Sequence, residues 1–350
     1  MKYRLGPLAR KGSWPIEVIA AGTFPDQDDI EALSEAGSRG SVLVMQRVLP
    51  SPDEMRHLRA RYDAVVLDFD DALYETMPAV GQPVLLGALK GALRLALRGS
   101  RTASSRKQPL VKALREADAC VVGNAVLAQF ARRYTDRVVV IPSTVEPIET
   151  PRSDMPERPV LVWTGVAGNR QYLELLRKPL ARLADELEFT LRVVCSRSWE
   201  DPPVEVEFVP WSPDAEREAL LTATVGLAPL TDDPFSQGKC QYRSIVFGGH
   251  GLATVASPVG IMDTIIVHGE TGFLASSDEE WCNALRRCIA DPSLAASLGA
   301  HALARIRQLY SHEVGVELWT AFFEDLAVAG RSERAASGLQ GQEPLPARRP

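Results

Sequence analysis

Short apolar runs recur along the chain. Each is closed by a Gly-, Asp- or Ser-containing turn and followed by a stretch with helical spacing. Residues 41–47 (SVLVMQR), 64–71 (AVVLDFDD), 119–123 (ACVVG) and 138–141 (VVVI) form a first set of runs. Residues 160–163, 191–195, 206–209, 225–230 and 252–256 form a second, and residues 16–20 are a weaker strand candidate. Runs this continuous fit strands buried on both faces, and strand–turn–helix alternation is the pattern of a parallel α/β sheet. The helix signals agree. Ser51 before Pro52, Asp53 and Glu54 reads as a capped start. Asn124 reads as the cap of a helix reaching residue 133. Helices are also expected over 110–117, 171–187, 211–222, 278–290 and 311–327, with a further one from 291. Lys239 and Cys240 are expected to open another.

A chain of 350 residues is long enough for two such units with full cores. Pro147, Pro151, Pro156 and Pro159 cluster between the two sets of runs. This divides the chain into a domain over 1–148, a linker over 149–159 and a domain over 160–328. Residues 329–350, rich in Ser, Gly, Pro and Arg with almost no large apolar residue, read as a disordered tail.

A net charge of −6 argues against a general nucleic-acid binder. The five cysteines lack CxxC or Cys/His ligand spacing and fit reduced thiols in the cytoplasm. Cys240, beside Lys239, is either a thiol of lowered pKa or a small residue filling a helix–sheet contact. No apolar stretch follows the basic N-terminus, and no run reaches the roughly 18 residues that span a bilayer. Membrane contact would be peripheral. Residues 76–115 hold eight Lys or Arg and no acid, and Lys90, Arg94 and Arg98 recur every fourth residue. The segment 84–107 is thus a candidate for docking on an anionic membrane surface. The alternative is a packed helix with a solvated basic face. Residues 100–108 read as a mobile loop.

Three loops lie at carboxyl ends of expected strands, where ligands of α/β sheets sit. The first is Thr164–Arg170 with Gly165, Gly168 and Asn169. The second is residues 231–238, with Asp232, Asp233 and Gly238. The third is Ser257-Pro258-Val259-Gly260. Glycine admits close backbone approach, and a following helix N-terminus presents free N–H groups to phosphate. Ordinary turns would look the same. The acidic strand end 68–71 has three readings. Its carboxylates could cap the next helix, or act as an Asp-x-Asp metal site, or, as Asp68 and Asp70, serve a Mg²⁺-dependent phosphatase. Alternation places Asp68 and Asp70 on one face and Asp71 on the other face or in the loop.

Four phrases along the chain carry a resemblance: ADACVVGNAVLAQFARRYTDRVVVIPSTVEP, PLTDDPFSQGKC, TVASPVGIMDTIIVHGETGFLA and SSDEEWCNALRRCIADPSLAASLG. With them the chain resembles the GT-B glycosyltransferases over most of 41–325. It is most similar to the group 1 retaining enzymes, which include many of bacterial cell-surface polysaccharide biosynthesis. The resemblance implies an α/β chain of two Rossmann-like domains facing each other across a cleft, with a C-terminal helix crossing back. It implies a nucleotide-diphosphate sugar as donor and a glycan, lipid or small-molecule acceptor. Transfer would be retaining and metal-independent, with no cofactor. Lys239 and Arg170 would stabilise the leaving diphosphate. Gly165, Asn169, Asp232, Asp233, Gly238, Ser257, Pro258, Val259 and Gly260 would form the donor site. The phrase DFDDA places Asp70 and Asp71 on the acceptor side. The sequence also departs from the family. Gly238 and Val246 stand where relatives carry two glutamates, the second of which contacts ribose, and Met262 and Thr264 stand where Asn and Glu are common. Gly248-Gly249-His250-Gly251 replaces a Met-Ala-Ala-Gly type of phrase, and two helical glycines cost roughly 1 kcal/mol each relative to alanine. These departures motivate the alternative of a catalytically degenerate GT-B-like binding or partner protein.

Overall fold

The computed structural model describes all residues except 1–3, 12–14, 18, 20, 39, 81–102, 152–155 and 340–350. Two parallel sheets organise the chain. The first comprises β1 (Val42–Gln46), β2 (Ala64–Phe69), β3 (Ala119–Val122) and β4 (Val138–Val140), in the order β1-β2-β3-β4. The second comprises β5 (Val160–Thr164), β6 (Thr190–Cys195), β7 (Val206–Pro210), β8 (Val225–Ala228), β9 (Ala253–Ala256) and β10 (Gly272–Leu274). Its order is β10-β9-β8-β5-β6-β7, every pair parallel. Read from β7, this is the doubly wound order 3-2-1-4-5-6, with its reversal between β5 and β8. Strands β2, β3, β5, β8 and β9 are buried at every residue, which explains why their sequences are runs rather than alternations.

Local signals fix the helix starts. Ser51 closes a capping box with Glu54, and Ser277 does so with Glu280. The Asn124 side chain accepts from Leu127 N at 2.9 Å. The helix His312–Leu339 carries Trp319, Phe322, Phe323 and Leu326 back onto Leu5, Leu8, Val66 and Val121 of the first sheet's layer. Main-chain bonds between Val145 and both Tyr310 and His312, each 2.9 Å, tie the segment after β4 to the start of this helix.

Several expectations are corrected. Of residues 16–20, the described ones (16, 17 and 19) lie in no strand. The helix Ala103–Glu116 includes 103–108, expected as a loop: Leu110, Ala113 and Leu114 anchor its end in the core, and the polar residues before them continue its turns. The basic segment 84–107 lies outside the described residues up to 102. The helix expected from 171 begins as a 3₁₀ helix (Ala167–Leu176) before Arg177–Ala184. Lys239 and Cys240 precede the helix Tyr242–Gly249 rather than opening it, because Gln241 takes a left-handed φ of 52°. The final helix runs His312–Leu339, past the end expected at 327. No helix among the described residues is long and apolar enough to cross a membrane.

Candidate functional site

A cavity of about 550 Å³ opens between the carboxyl ends of the two sheets. The first sheet contributes Arg47, Asp70 and Asp71. The second contributes the ends of β5 and β8 (Thr164, Gly165, Ala228, Leu230), Asn169, and residues 239–244 with Val246. The cavity thus sits at the second sheet's switch point.

The loop that presents Lys239 is pinned from three sides. Asp233 caps the short helix Pro234–Gln237 through the N–H groups of Phe235 and Ser236, at 3.0 and 3.1 Å. Asn124 of the first half donates to Gly238 O at 3.1 Å and to Cys240 Sγ at 3.4 Å. Gln241 donates to Val259 O at 3.1 Å, and Ser257 Oγ accepts from Leu230 N at 3.0 Å. Gly260 holds a φ of 64°, and a Cβ there would stand 2.4 Å from Gln237 O, so only glycine fits beneath the loop.

Lys239 Nζ lies 4.7 Å from the Phe235 ring centre and 5.8 Å from that of Tyr172. Burial lowers its pKa, and Asp71 opposes that shift. Arg243 stacks 4.6 Å over the Trp163 ring, and its Nε is buried without a hydrogen-bond partner. Burial pushes the Arg243 guanidinium down to about 10, with Glu216 pulling it back, so it stays charged at neutral pH. A side chain at Gly165 would come within 2.6 Å of Arg243 Nη2, which explains that glycine. Neither Lys239 nor Arg243 forms an ion pair among the described residues. The Asn169 Oδ1 is likewise buried and unpaired.

Facing them, Arg47 adopts a φ of 59°, uncommon for a residue with a side chain. It donates to Asp70 at 2.7 Å and to Asp71 at 2.8 Å. Asp70 and Asp71 therefore share one partner. Asp68 points into the interior, where Arg4 binds both its oxygens, at 2.8 and 2.9 Å, and Gln46 adds a bond at 2.8 Å. The expected grouping of Asp68 with Asp70 is corrected, and with it the phosphatase reading: a buried arginine occupies Asp68. No cluster of three or more metal-ligating side chains occurs among the described residues.

Of the residues singled out from sequence, Lys239, Gly165, Asn169, Asp70 and Asp71 line the cavity. Arg170 does not. The 3₁₀ turn aims its guanidinium at Ser198 O and at Glu200, 3.1 Å away. Asp232 accepts from Gln237 at 2.8 Å, and Asp233, Gly238, Ser257, Val259 and Gly260 support the Lys239 loop from outside the wall, with Pro258 exposed beyond it. Met262 is fully buried away from the cavity, and Thr264 bonds Ile261 O at 2.7 Å. His250 bonds Val246 O at 2.8 Å at its helix end. Burial raises the Cys240 pKa, so this thiol is the packed filler, not the reactive group. Arg47, Arg243, Glu216 and Trp211 were not singled out from sequence. Arg243, four residues after Lys239, carried the one available signal.

No protein-family model and no curated protein matches the sequence. Solved structures do. Sucrose-phosphate synthase from Thermosynechococcus elongatus aligns with a TM-score of 0.59 at 18% identity, over 82% of this chain and 74% of that one. Anabaena HepE in complex with UDP-glucose aligns with a TM-score of 0.57 at 14% identity, over 91% and 88%. The chain has the GT-B fold. A TarM variant of S. aureus, solved with UDP, gives a TM-score of 0.60 at 12% identity over 84% of this chain. This GT-B chain spans 58% of that TarM's length.

Proposed function

We propose that the chain transfers a sugar from a nucleotide-diphosphate sugar to an acceptor hydroxyl, with retention and without a metal ion. The observation that carries this reading is the pair Lys239 and Arg243. Two cations face one switch-point cavity with no ion-pair partner among the described residues. Charges this enclosed need a counter-ion, and a diphosphate supplies it. HepE, with UDP-glucose, and a pneumococcal O-GlcNAc transferase, with UDP and GlcNAc, share the fold, which supports a donor of that class.

In this reading Lys239 and Arg243 stabilise the charge growing on the diphosphate as the sugar C1–O bond breaks. The acceptor oxygen forms the new bond to C1 on the face the diphosphate leaves, and its proton passes to a departing phosphate oxygen. Asp70 and Asp71, held by Arg47, position a glycan, lipid or small-molecule acceptor from the first sheet. Positioning supplies the remaining large contribution. Incubation with UDP-, GDP-, ADP- and TDP-sugars in EDTA, with release of free nucleoside diphosphate as readout, tests the reading. Release in the presence of acceptor extracts supports it.

A second reading is supported by Val246, an apolar side chain in the cavity wall: a binding or partner protein without turnover. Nucleotide-sugar binding with no release across donors and acceptors would select it.

A further inference from the structure

Beyond Arg243 the cavity wall carries Thr164, Ser196, Trp211 and Glu216. None of these is used by the transfer chemistry above. The Glu216 carboxylate is held at both oxygens: one accepts from Thr164 Oγ, the other from Trp211 Nε1 at 3.1 Å. A carboxylate has about four acceptor sites, so each oxygen of this cavity-lining residue keeps acceptor capacity beyond the bond it receives. The same bond fixes the Trp211 ring, which is 45% exposed, and Val166 beside the cavity is 67% exposed. An aromatic ring held open at a cavity rim is a stacking platform, and base stacking on such a ring contributes about 1–3 kcal/mol.

With the diphosphate on Lys239 and Arg243, a nucleoside extends to one end of the cavity. Its ribose offers two vicinal hydroxyl donors, and its base offers a π-face. Val246, which also lines the wall, can accept neither hydrogen bond. We propose that Glu216 is the ribose-reading residue of this site, accepting hydrogen bonds from the 2′- and 3′-hydroxyls, while Trp211 stacks on the base. The inference builds on the nucleotide-sugar reading and adds to it a substrate class, ribonucleoside over deoxyribonucleoside diphosphates. The competing role for Glu216 is that of a remote counter-charge for Arg243, which would act on the diphosphate and ignore the sugar.

The test is a cycle between protein and ligand. Calorimetric titration measures UDP, 2′-deoxy-UDP, GDP and 2′-deoxy-GDP against wild type, Glu216→Ala and Glu216→Gln, with pyrophosphate as a probe lacking ribose. Hydrogen bonds to charged groups predict a roughly 10- to 100-fold preference of wild type for the ribo form of the nucleotide it binds. Both variants should bring ribo and deoxy affinities to within about threefold, with pyrophosphate binding unchanged. The glutamine variant keeps the side chain's shape, so the result does not depend on alanine being tolerated. Trp211→Ala should weaken both nucleotide forms alike and spare pyrophosphate. Equal losses for ribo, deoxy and pyrophosphate probes in the Glu216 variants would assign Glu216 to Arg243 alone and overturn the inference. Tighter binding of the deoxy form by wild type would also overturn it. Failure of every nucleotide to bind wild type would instead remove the nucleotide-sugar reading on which it stands.

Discussion

The Asp71 carboxylate lies between two cations of different origin. It pairs with Arg47 Nη2 at 2.8 Å, and it is the strongest electrostatic support of the Lys239 ammonium across the cleft. The cation assigned to the leaving group is therefore tuned from the opposite wall.

Lys239→Ala should lower turnover by a factor on the order of 10²–10³, the usual effect of removing one preorganised charge stabiliser. Steady-state kinetics at saturating donor checks this. Unchanged turnover would take Lys239 out of the mechanism.

The same lysine sets an alkaline limit. Burial places its folded pKa below the ordinary value, so activity falls as pH rises through that lowered pKa. Stability moves the other way. Between the folded and unfolded pKa values the unfolded chain binds more protons, and this residue's contribution to stability rises with pH. Asp71→Asn removes the group that raises the lysine pKa and should shift the alkaline limb of the pH–rate profile to lower pH. Lys239→Arg should shift it to higher pH. A limb that stays fixed in both variants belongs to another group.

Arg4 and Asp68 form a buried pair, 2% and 1% exposed, that ties the N-terminal segment to β2. Arg4→Leu leaves the carboxylate buried with Gln46 as its remaining side-chain partner and should reduce stability by about 3–5 kcal/mol. The double variant Arg4→Leu/Asp68→Leu should recover much of that loss. Urea unfolding midpoints measure both.

Gly248 is where the helix-propensity argument reverses. Alanine there should gain up to about 1 kcal/mol of propensity. Its Cβ would meet Ile306 Cγ1 at 2.7 Å, and overpacking of this kind costs about 1–3 kcal/mol. Gly248→Ala should destabilise, and Ile306→Val in the same chain should relieve part of the loss. A stabilised Gly248→Ala protein would contradict the close packing.

That reversal marks the limit of what the sequence could disclose. Ser51 and Asn124 were legible as caps because capping is settled within four residues. The buried strands were legible because residues such as those of β2 and β3 leave no polar face. Lys239 was legible through the phrase around it. Arg170 was not, because its direction depends on Ser198 and Glu200, which a 3₁₀ turn brings within reach. Arg47 and Glu216 were hidden for the opposite reason. Each is an ordinary charged residue in its own segment, and only the meeting of two sheets places them on one cavity. The glycine pair read as a helix cost because its partners, Ile306 and Val145, are distant in the chain.

The proposed mechanism stands on a metal-free nucleoside-diphosphate site formed by Lys239 and Arg243. Thermal denaturation of wild type and of Lys239→Ala/Arg243→Ala, with UDP, GDP, ADP and TDP in EDTA, tests it most directly. Ligand at a hundred times its dissociation constant stabilises the folded state by about 2.7 kcal/mol. A clear rise in wild-type melting temperature with one nucleotide family, and none in the double variant, is expected. No rise with any nucleotide, or an equal rise in both proteins, would contradict it.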